Sequence, residues 1–336
     1  VTAPFAPVGD HRPPAKNAKM IDLKNGSKIG RIDALMLLVV FLWALNLTVI
    51  KIGFRELSVH GFNAIRLGLA AVAFIFLLGV QGRPFRLARG DHWKAVGLGI
   101  FGITAYQLFF IQAIHETQAS AASILMATSP VLIALLSTAL GQERIPWAGW
   151  AGILVSVAGF VLVAGGENGG FRFNWHGHRT AALILLANIS WAAYTVFSKP
   201  VLERNSPFKL AAWSTAAGSL LYLPFALRDL AAVPWARISW PGWAAILYTG
   251  LVSIVFCFVI WSESVRKVGS SKTGIYINLQ PIFAVAIAGA FLGERLSGLQ
   301  IAGALIVLAG VYLMRSGYRF FERRSRASVP DAAGRA

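Results

Sequence analysis

Residues 129–159 read SPVLIALLSTALGQERIPWAGWAGILVSVAG, and residues 280–310 read QPIFAVAIAGAFLGERLSGLQIAGALIVLAG. Moving the first stretch by 151 positions lays Pro130 on Pro281, Glu143-Arg144 on Glu294-Arg295, Ala151-Gly152 on Ala302-Gly303 and Ala158-Gly159 on Ala309-Gly310. Blocks such as Ile301 to Val311 are continuously apolar and lack the alternation that a membrane β-strand needs. An apolar stretch of about 20 residues spans a hydrocarbon core roughly 30 Å thick. Each copy therefore reads as two membrane helices joined by a short charged turn.

The repeat extends outward from there. A shift of 148 lays Arg31 on Arg179, Leu37-Leu38 on Leu185-Leu186, Trp43-Ala44 on Trp191-Ala192, Lys51 on Lys199 and Ser58 on Ser206. Ten apolar runs follow along the chain, at 33–52, 61–80, 93–114, 119–140, 147–165, 180–198, 208–227, 242–265, 271–292 and 298–315. The 336 residues are 56% hydrophobic and 13% charged, and the mean hydropathy is +0.63. A soluble domain is closer to one quarter charged, so a soluble enzyme is excluded. The expected fold is an all-α polytopic membrane protein of ten transmembrane helices, built as two inverted five-helix repeats around a central cavity. Five spans per repeat is odd, so the second copy enters the membrane upside down.

The basic residues set the orientation. Lys and Arg flank the cytoplasmic ends of spans, and they gather in the N-tail (Arg12, Lys16, Lys19, Lys24, Lys28), around Arg83, Arg86 and Arg89, at Lys199, Arg204 and Lys209, at Arg266 and Lys267, and from Arg315 onward. Both termini are then cytoplasmic, in a bacterial inner membrane. Residues 1–32 form a flexible N-tail with no signal-type apolar segment. The first repeat covers 33–165, an external loop 166–179, the second repeat 180–315, and a basic C-tail 316–336. The net charge of +17 reflects topology and attraction to anionic lipid, not nucleic-acid binding. The single cysteine, Cys257, closes no internal disulfide. His176 and His178 are the only paired histidines, in the external loop, and no metal or cofactor site is expected.

Ser129-Pro130-Val131 through Leu140-Gly141-Gln142-Glu143-Arg144 to Gly152 and Ala158-Gly159 is echoed by Gln280-Pro281 through Leu292-Gly293-Glu294-Arg295 to Gly303 and Ala309-Gly310. This resembles the paired EamA domains of the drug/metabolite transporter superfamily. Trp43-Ala44-Leu45-Asn46 with Lys51, and Arg66 in the second span, also match that family's pattern. The resemblance covers about residues 33 to 315. The inserted Gln142 departs from it. Aromatic residues on the candidate pore helices look most like the YddG-type aromatic amino-acid exporters. The resemblance implies a basket of helices around a cavity, with alternating access by rocking of helix pairs.

Polar and aromatic groups within spans mark the candidate substrate path, because a polar group in hydrocarbon is costly. The candidates for binding are Trp43, Asn46, Tyr106, Gln107, Trp191, Tyr194, Trp261, Tyr276 and Asn278, with Gln112, Ser123, Ser129, Asn188 and Gln280 nearby. The alternative for each is an interhelical hydrogen bond, worth under ~2 kcal/mol. Pro130 and Pro281 sit near mid-span and are hinge candidates or static kinks. Gly149, Gly152, Gly159, Gly303 and Gly310 suit close helix packing. Trp93, Trp147, Trp175, Trp235, Trp240 and Trp243 read as interfacial anchors. Lys51 and Arg66 lie near the outer face, free to snorkel or to attract an anion. Glu143 and Glu294 are expected in local ion pairs or caps, and Glu263 beside Arg266.

The expected activity is export of small metabolites, foremost amino acids including aromatic and apolar ones, without obligatory proton coupling. The expected partners are that small-molecule cargo and the lipid bilayer, with a monomer as the working unit. A proton-coupled drug/metabolite antiporter is the first alternative. An intramembrane enzyme or a non-transporting subunit would need facing carboxylates or a folded soluble domain, and the sequence offers neither.

Overall fold

The computed structural model describes residues 30–82, 84–142, 147–165 and 175–327, with the side chains of 148, 164–165, 175–177, 272, 275 and 314–327 outside that description. The N-tail before residue 30, the Glu143-Arg144 turn, residues 166–174 of the external loop, the His176 side chain and the end of the C-tail therefore lie outside the described residues.

Every described apolar run is helical, and there is no strand among the described residues. Helices α1 (Arg31–Gly53), α2 (Val59–Val80), α3 (His92–Glu116) and α4 (Ala119–Ala139) precede α5 (Trp147–Gly165). The second half runs through α6 (Trp175–Leu202), α7 (Pro207–Ala231), α8 (Trp240–Val268), α9 (270–292) and α10 (Gly298–Ala327). Seven of these are long and apolar enough to cross a membrane, while α5, α9 and α10 carry shorter apolar stretches at Gly149–Val163, Tyr276–Leu292 and Gly298–Leu313. Large apolar side chains face outward along them, with Phe76 66% and Leu305 64% exposed. Such a girdle would aggregate in water and is at home in lipid. Trp93, Trp147 and Trp240 stand out at helix ends, as interfacial rings do.

Helix α5 packs along α10, α2 against α7, and α3 against α6 and α7. The α5–α10 seam explains its glycines. A Cβ on Gly159 would lie 2.5 Å from the Val307 nitrogen, and one on Gly303 would lie 2.9 Å from the Gly159 carbonyl oxygen. The two backbones touch, which only small residues permit.

Two irregularities recur at the repeat spacing. Residues Ile100–Ala105 of α3 and Tyr248–Phe256 of α8 are π-helical, and Ile100 and Tyr248 are 148 positions apart. Helices α4 and α9 are both broken. In α4 the α-helix stops at Met126 and restarts at Ser129, while α9 passes through a 3₁₀ stretch, Ile275–Leu279, before Gln280–Leu292. Pro130 and Pro281 sit in the first turn of the restarted segments, where a missing N–H costs no hydrogen bond. They lie mid-span as expected, but they begin a helical segment instead of bending a continuous one.

Polar clasps join the halves at two more equivalent places. Glu56, in the α1–α2 turn, accepts from the Ser239 backbone N–H at 2.7 Å and from the Ser239 hydroxyl, at the N-cap of α8. Asp91, the N-cap of α3, takes Arg204 and Asn205 (2.8 Å) from the α6–α7 turn and Lys94 at 3.3 Å. Glu56 and Arg204, like Asp91 and Ser239, are 148 apart. Burial of the Asp91 carboxyl tends to raise its pKa, but hydrogen bonds from Asn205, Lys94 and Arg204 and the Arg204 charge hold it below the usual carboxylate range. The Ser239 hydroxyl and N–H hold Glu56 low in the same sense.

Candidate functional site

Helices α1, α2, α3, α4, α6, α8 and α9 converge on a small cavity of about 40 Å³. Its wall repeats the sequence repeat. Trp43 and Trp191, Tyr106 and Ile254, and Phe110 and Phe258 are partners at a shift of 148, and Met126 and Ile277, and Ser129 and Gln280, are partners at 151. Equivalent positions of both halves thus face one space.

The apolar side of that space is aromatic. Trp43 and Trp191 meet edge to face with centroids 5.6 Å apart, and Trp191 also touches Tyr106 and Phe258, each at 5.3 Å. Such pairs contribute about 0.5–1.5 kcal/mol beyond their buried area, so the rings form a stiff wall. The Trp43 indole N–H donates to the Ser253 carbonyl at 3.0 Å, inside the α8 π-segment, where the altered ladder presents a carbonyl to a side chain. Gly102, in the α3 π-segment, makes room for Tyr194: a Cβ there would lie 2.3 Å from the tyrosine ring.

The polar side draws on both halves, with Asn46, Arg66, Gln107 and Ser129 from the first and Asn188, Ser253 and Gln280 from the second. Arg66 is 1% exposed, and its Nε donates to Asn63 Oδ1 at 2.8 Å while Nη2 donates to Gln107 Oε1 at 2.7 Å. Its guanidinium carbon lies 5.9 Å from the centre of the Phe62 ring. Asn46 Oδ1 is buried with no hydrogen-bond donor among the described residues. Asn188, by contrast, is committed to the α4 break. It donates to the Leu125 carbonyl (3.2 Å) and the Thr128 hydroxyl (3.0 Å) and accepts from Ser129 at 2.8 Å, tying α6 to both sides of the break.

Of the residues singled out in the sequence, Trp43, Asn46, Tyr106, Gln107 and Trp191 line the cavity. Four do not. Tyr194 and Trp261 lie one layer behind, fully buried, Tyr194 stacked on Trp191 at 5.4 Å and Trp261 against Trp43 and Trp191 at 5.3 and 5.2 Å. Tyr276 instead donates to Asp33 near the start of α1. Asn278 stands off the wall with its Oδ1 buried and no donor among the described residues. Ile277, between these last two, takes the place on the cavity wall, and its neighbours on either side turn away, as adjacent residues in a helix do. Arg66, left open between snorkelling and anion attraction, is a wall residue. Asn63 three positions before it was the available signal, since i and i+3 share a helix face.

Glu263, Glu294 and Glu116 are engaged elsewhere. Glu263 pairs with Arg266 at 2.6 Å and Lys267 at 2.9 Å. Glu294 caps, but not locally. It accepts from the backbone of Ala119 and Ser120, each at 2.9 Å, and from the Ser120 hydroxyl at 2.7 Å, at the start of α4. Glu116 receives Arg179 and Gln112.

The model of the EamA-like transporter family matches the chain twice, over residues 30–165 and 178–316. An uncharacterized transporter of Archaeoglobus fulgidus is 30% identical over 286 residues, covering 83% of this chain and 95% of its own. A probable terminal-alkyne amino-acid exporter of Streptantibioticus cattleyicolor is 29% identical, over 88% of this chain and 96% of its own. A probable amino-acid metabolite efflux pump of Salmonella typhimurium is 27% identical, over 88% and 97%. A crystal structure of a protein 19% identical superposes with a TM-score of 0.64 over 87% of this chain and 97% of that one, a likeness of fold alone. Every residue of the cavity wall falls within the two matched stretches, and the chain belongs to the EamA-like transporter family.

Proposed function

We propose that the protein exports small metabolites, foremost aromatic and apolar amino acids, across the inner membrane by alternating access. Ten spans form two inverted repeats, both termini are cytoplasmic, and no obligatory proton coupling is involved. The observation that carries this reading is the cavity wall, whose equivalent positions in the two halves (Trp43 with Trp191, Phe110 with Phe258) form an aromatic pocket at the meeting of the repeats. Exchanging the conformations of related halves around a fixed site is how inverted repeats alternate access. The names of the Streptantibioticus and Salmonella relatives support amino-acid cargo.

The test is counterflow of labelled amino acids into liposomes containing only this protein. Phenylalanine, tryptophan and leucine should exchange while aspartate and lysine do not. Absence of exchange for every amino acid would remove the cargo assignment. For orientation, cysteines placed at Ser316 and at Asn168, with Cys257 replaced, should react with an impermeant thiol reagent from opposite faces. Same-side labelling would break the inverted arrangement.

A further inference from the structure

We propose that Arg66 is the carboxylate anchor of this cavity, so that the cargo must carry a carboxylate and need not carry an ammonium group. The inference rests on reading the cavity as the cargo site and names the chemistry selected there.

Two of the five guanidinium N–H donors are occupied, by Asn63 and Gln107. The other three, and the amide N–H groups of Gln107, have no acceptor among the described residues. Because Gln107 must turn its oxygen to Arg66, its NH₂ adds donors beside the guanidinium. No Asp or Glu lines the cavity, and Arg66 forms no ion pair among the described residues. A buried, uncompensated guanidinium with free, planar donors matches a carboxylate, which accepts two parallel hydrogen bonds and neutralises the charge.

The repeat separates function from architecture. The position equivalent to Arg66 is Ser214, whose hydroxyl simply returns to the Leu210 carbonyl at 2.9 Å. Those equivalent to Gln107 and Asn46 are Val255 and Tyr194. The same packing position is therefore filled without a guanidinium in the second half, and the cation on the wall belongs to the first half. A cargo with an acidic end and an aromatic end has one orientation here, its carboxylate on Arg66 and its ring on the Trp43–Trp191 wall. For an ammonium the wall offers neutral acceptors such as Asn46 Oδ1, which tolerate it without demanding it.

The test uses purified protein in nanodiscs, reading Trp fluorescence and thermal shift with L-phenylalanine, 3-phenylpropanoate and 2-phenylethylamine. Both carboxylates should bind, and the amine at least tenfold more weakly. Arg66→Gln should weaken both carboxylates tenfold or more, and Arg66→Lys, which keeps the charge but not the parallel donor pair, should fall between Arg66→Gln and the wild type. Amine binding as tight as that of the acids would overturn the proposal, as would carboxylate affinity unchanged in Arg66→Gln. If that variant does not fold, the wild-type series decides alone. Arg66-dependent carboxylate binding without counterflow of any amino acid would sink the export reading and leave the anchor standing. Undiminished phenylalanine counterflow in Arg66→Gln would do the reverse.

Discussion

Gly102 shows how much one methyl group can matter in this wall. Its missing Cβ is the space into which the Tyr194 ring fits, and Tyr194 in turn braces Trp191. Gly102→Ala should force that stack apart, costing about 1–3 kcal/mol of overpacking strain; a matching fall in melting temperature and in counterflow is the expected result, and a variant with wild-type values of both would show that the ring is not a brace. Asn46→Ala should separate the two quantities. It removes a buried acceptor that no protein group uses, so transport should fall while the melting temperature holds. Tyr194→Ala, a deletion in the fully buried layer, should cost about 3–5 kcal/mol in stability first. These contrasts follow from depth in the wall, which the sequence conveyed only in part. Trp43, Asn46, Tyr106, Gln107 and Trp191 were legible as wall residues because aromatic and amide groups stand out in apolar spans. Tyr194, Trp261, Tyr276 and Asn278 stood out equally, yet an all-round apolar helix carries no periodicity to say which face looks inward.

Helix positions were far more legible than helix interiors. Apolar run length placed most helix ends within about five residues, since bilayer thickness dictates it, but α10 runs on to Ala327, past the end of its apolar run at 315 and into the basic stretch expected as a tail. The π-segments of α3 and α8 and the 3₁₀ stretch of α9 left no such trace, because they depend on which carbonyls find partners. The clasps at Glu56–Ser239 and Asp91–Arg204 were hidden for a similar reason, their partners lying far apart in the chain. Both equivalent clasps are made at once. A contact that opened with access would be made at one of the two equivalent places and broken at the other, so the clasps are expected to act as braces. A disulfide between Glu56→Cys and Ser239→Cys should leave counterflow intact, whereas its loss on cross-linking would make the clasp a gate. Asp91 adds a pH signature. A carboxyl whose folded pKa is depressed contributes stability above its unfolded value near ~3.9 and loses it as pH falls through the folded value. Asp91→Asn should lower stability at pH 7 by about 1–2 kcal/mol, reduced from a fully buried pair because Arg204 and Lys94 are half exposed. It should flatten the acid limb of the melting curve below pH ~4.

Across the whole molecule the distribution of acids constrains the energetics more than any one site does. A proton-coupled exporter normally keeps a titrating carboxylate where protonation competes with cargo. Here the cavity wall holds Arg66 and no acid. The carboxylates at the helix ends hold other elements together, Glu294 at the α4 N-terminus, Glu116 on Arg179, Asp33 on Tyr276, and Asp91 and Glu56 in the clasps. Glu263, the one acid set within an apolar run, is neutralised by Arg266 and Lys267 on its own helix. A zwitterionic amino acid entering this cavity brings no net charge, and no group on the wall is placed to carry a proton back. Counterflow should therefore proceed at equal internal and external pH, survive a protonophore, and show no response to an imposed potassium-diffusion potential. Glu263→Gln should leave the flux unchanged and lower stability by less than about 1 kcal/mol, as a partly exposed pair does. Accumulation against the substrate gradient under an inward or outward pH step, lost specifically in Glu263→Gln, would make that ion pair the proton site and would require it to open during each cycle.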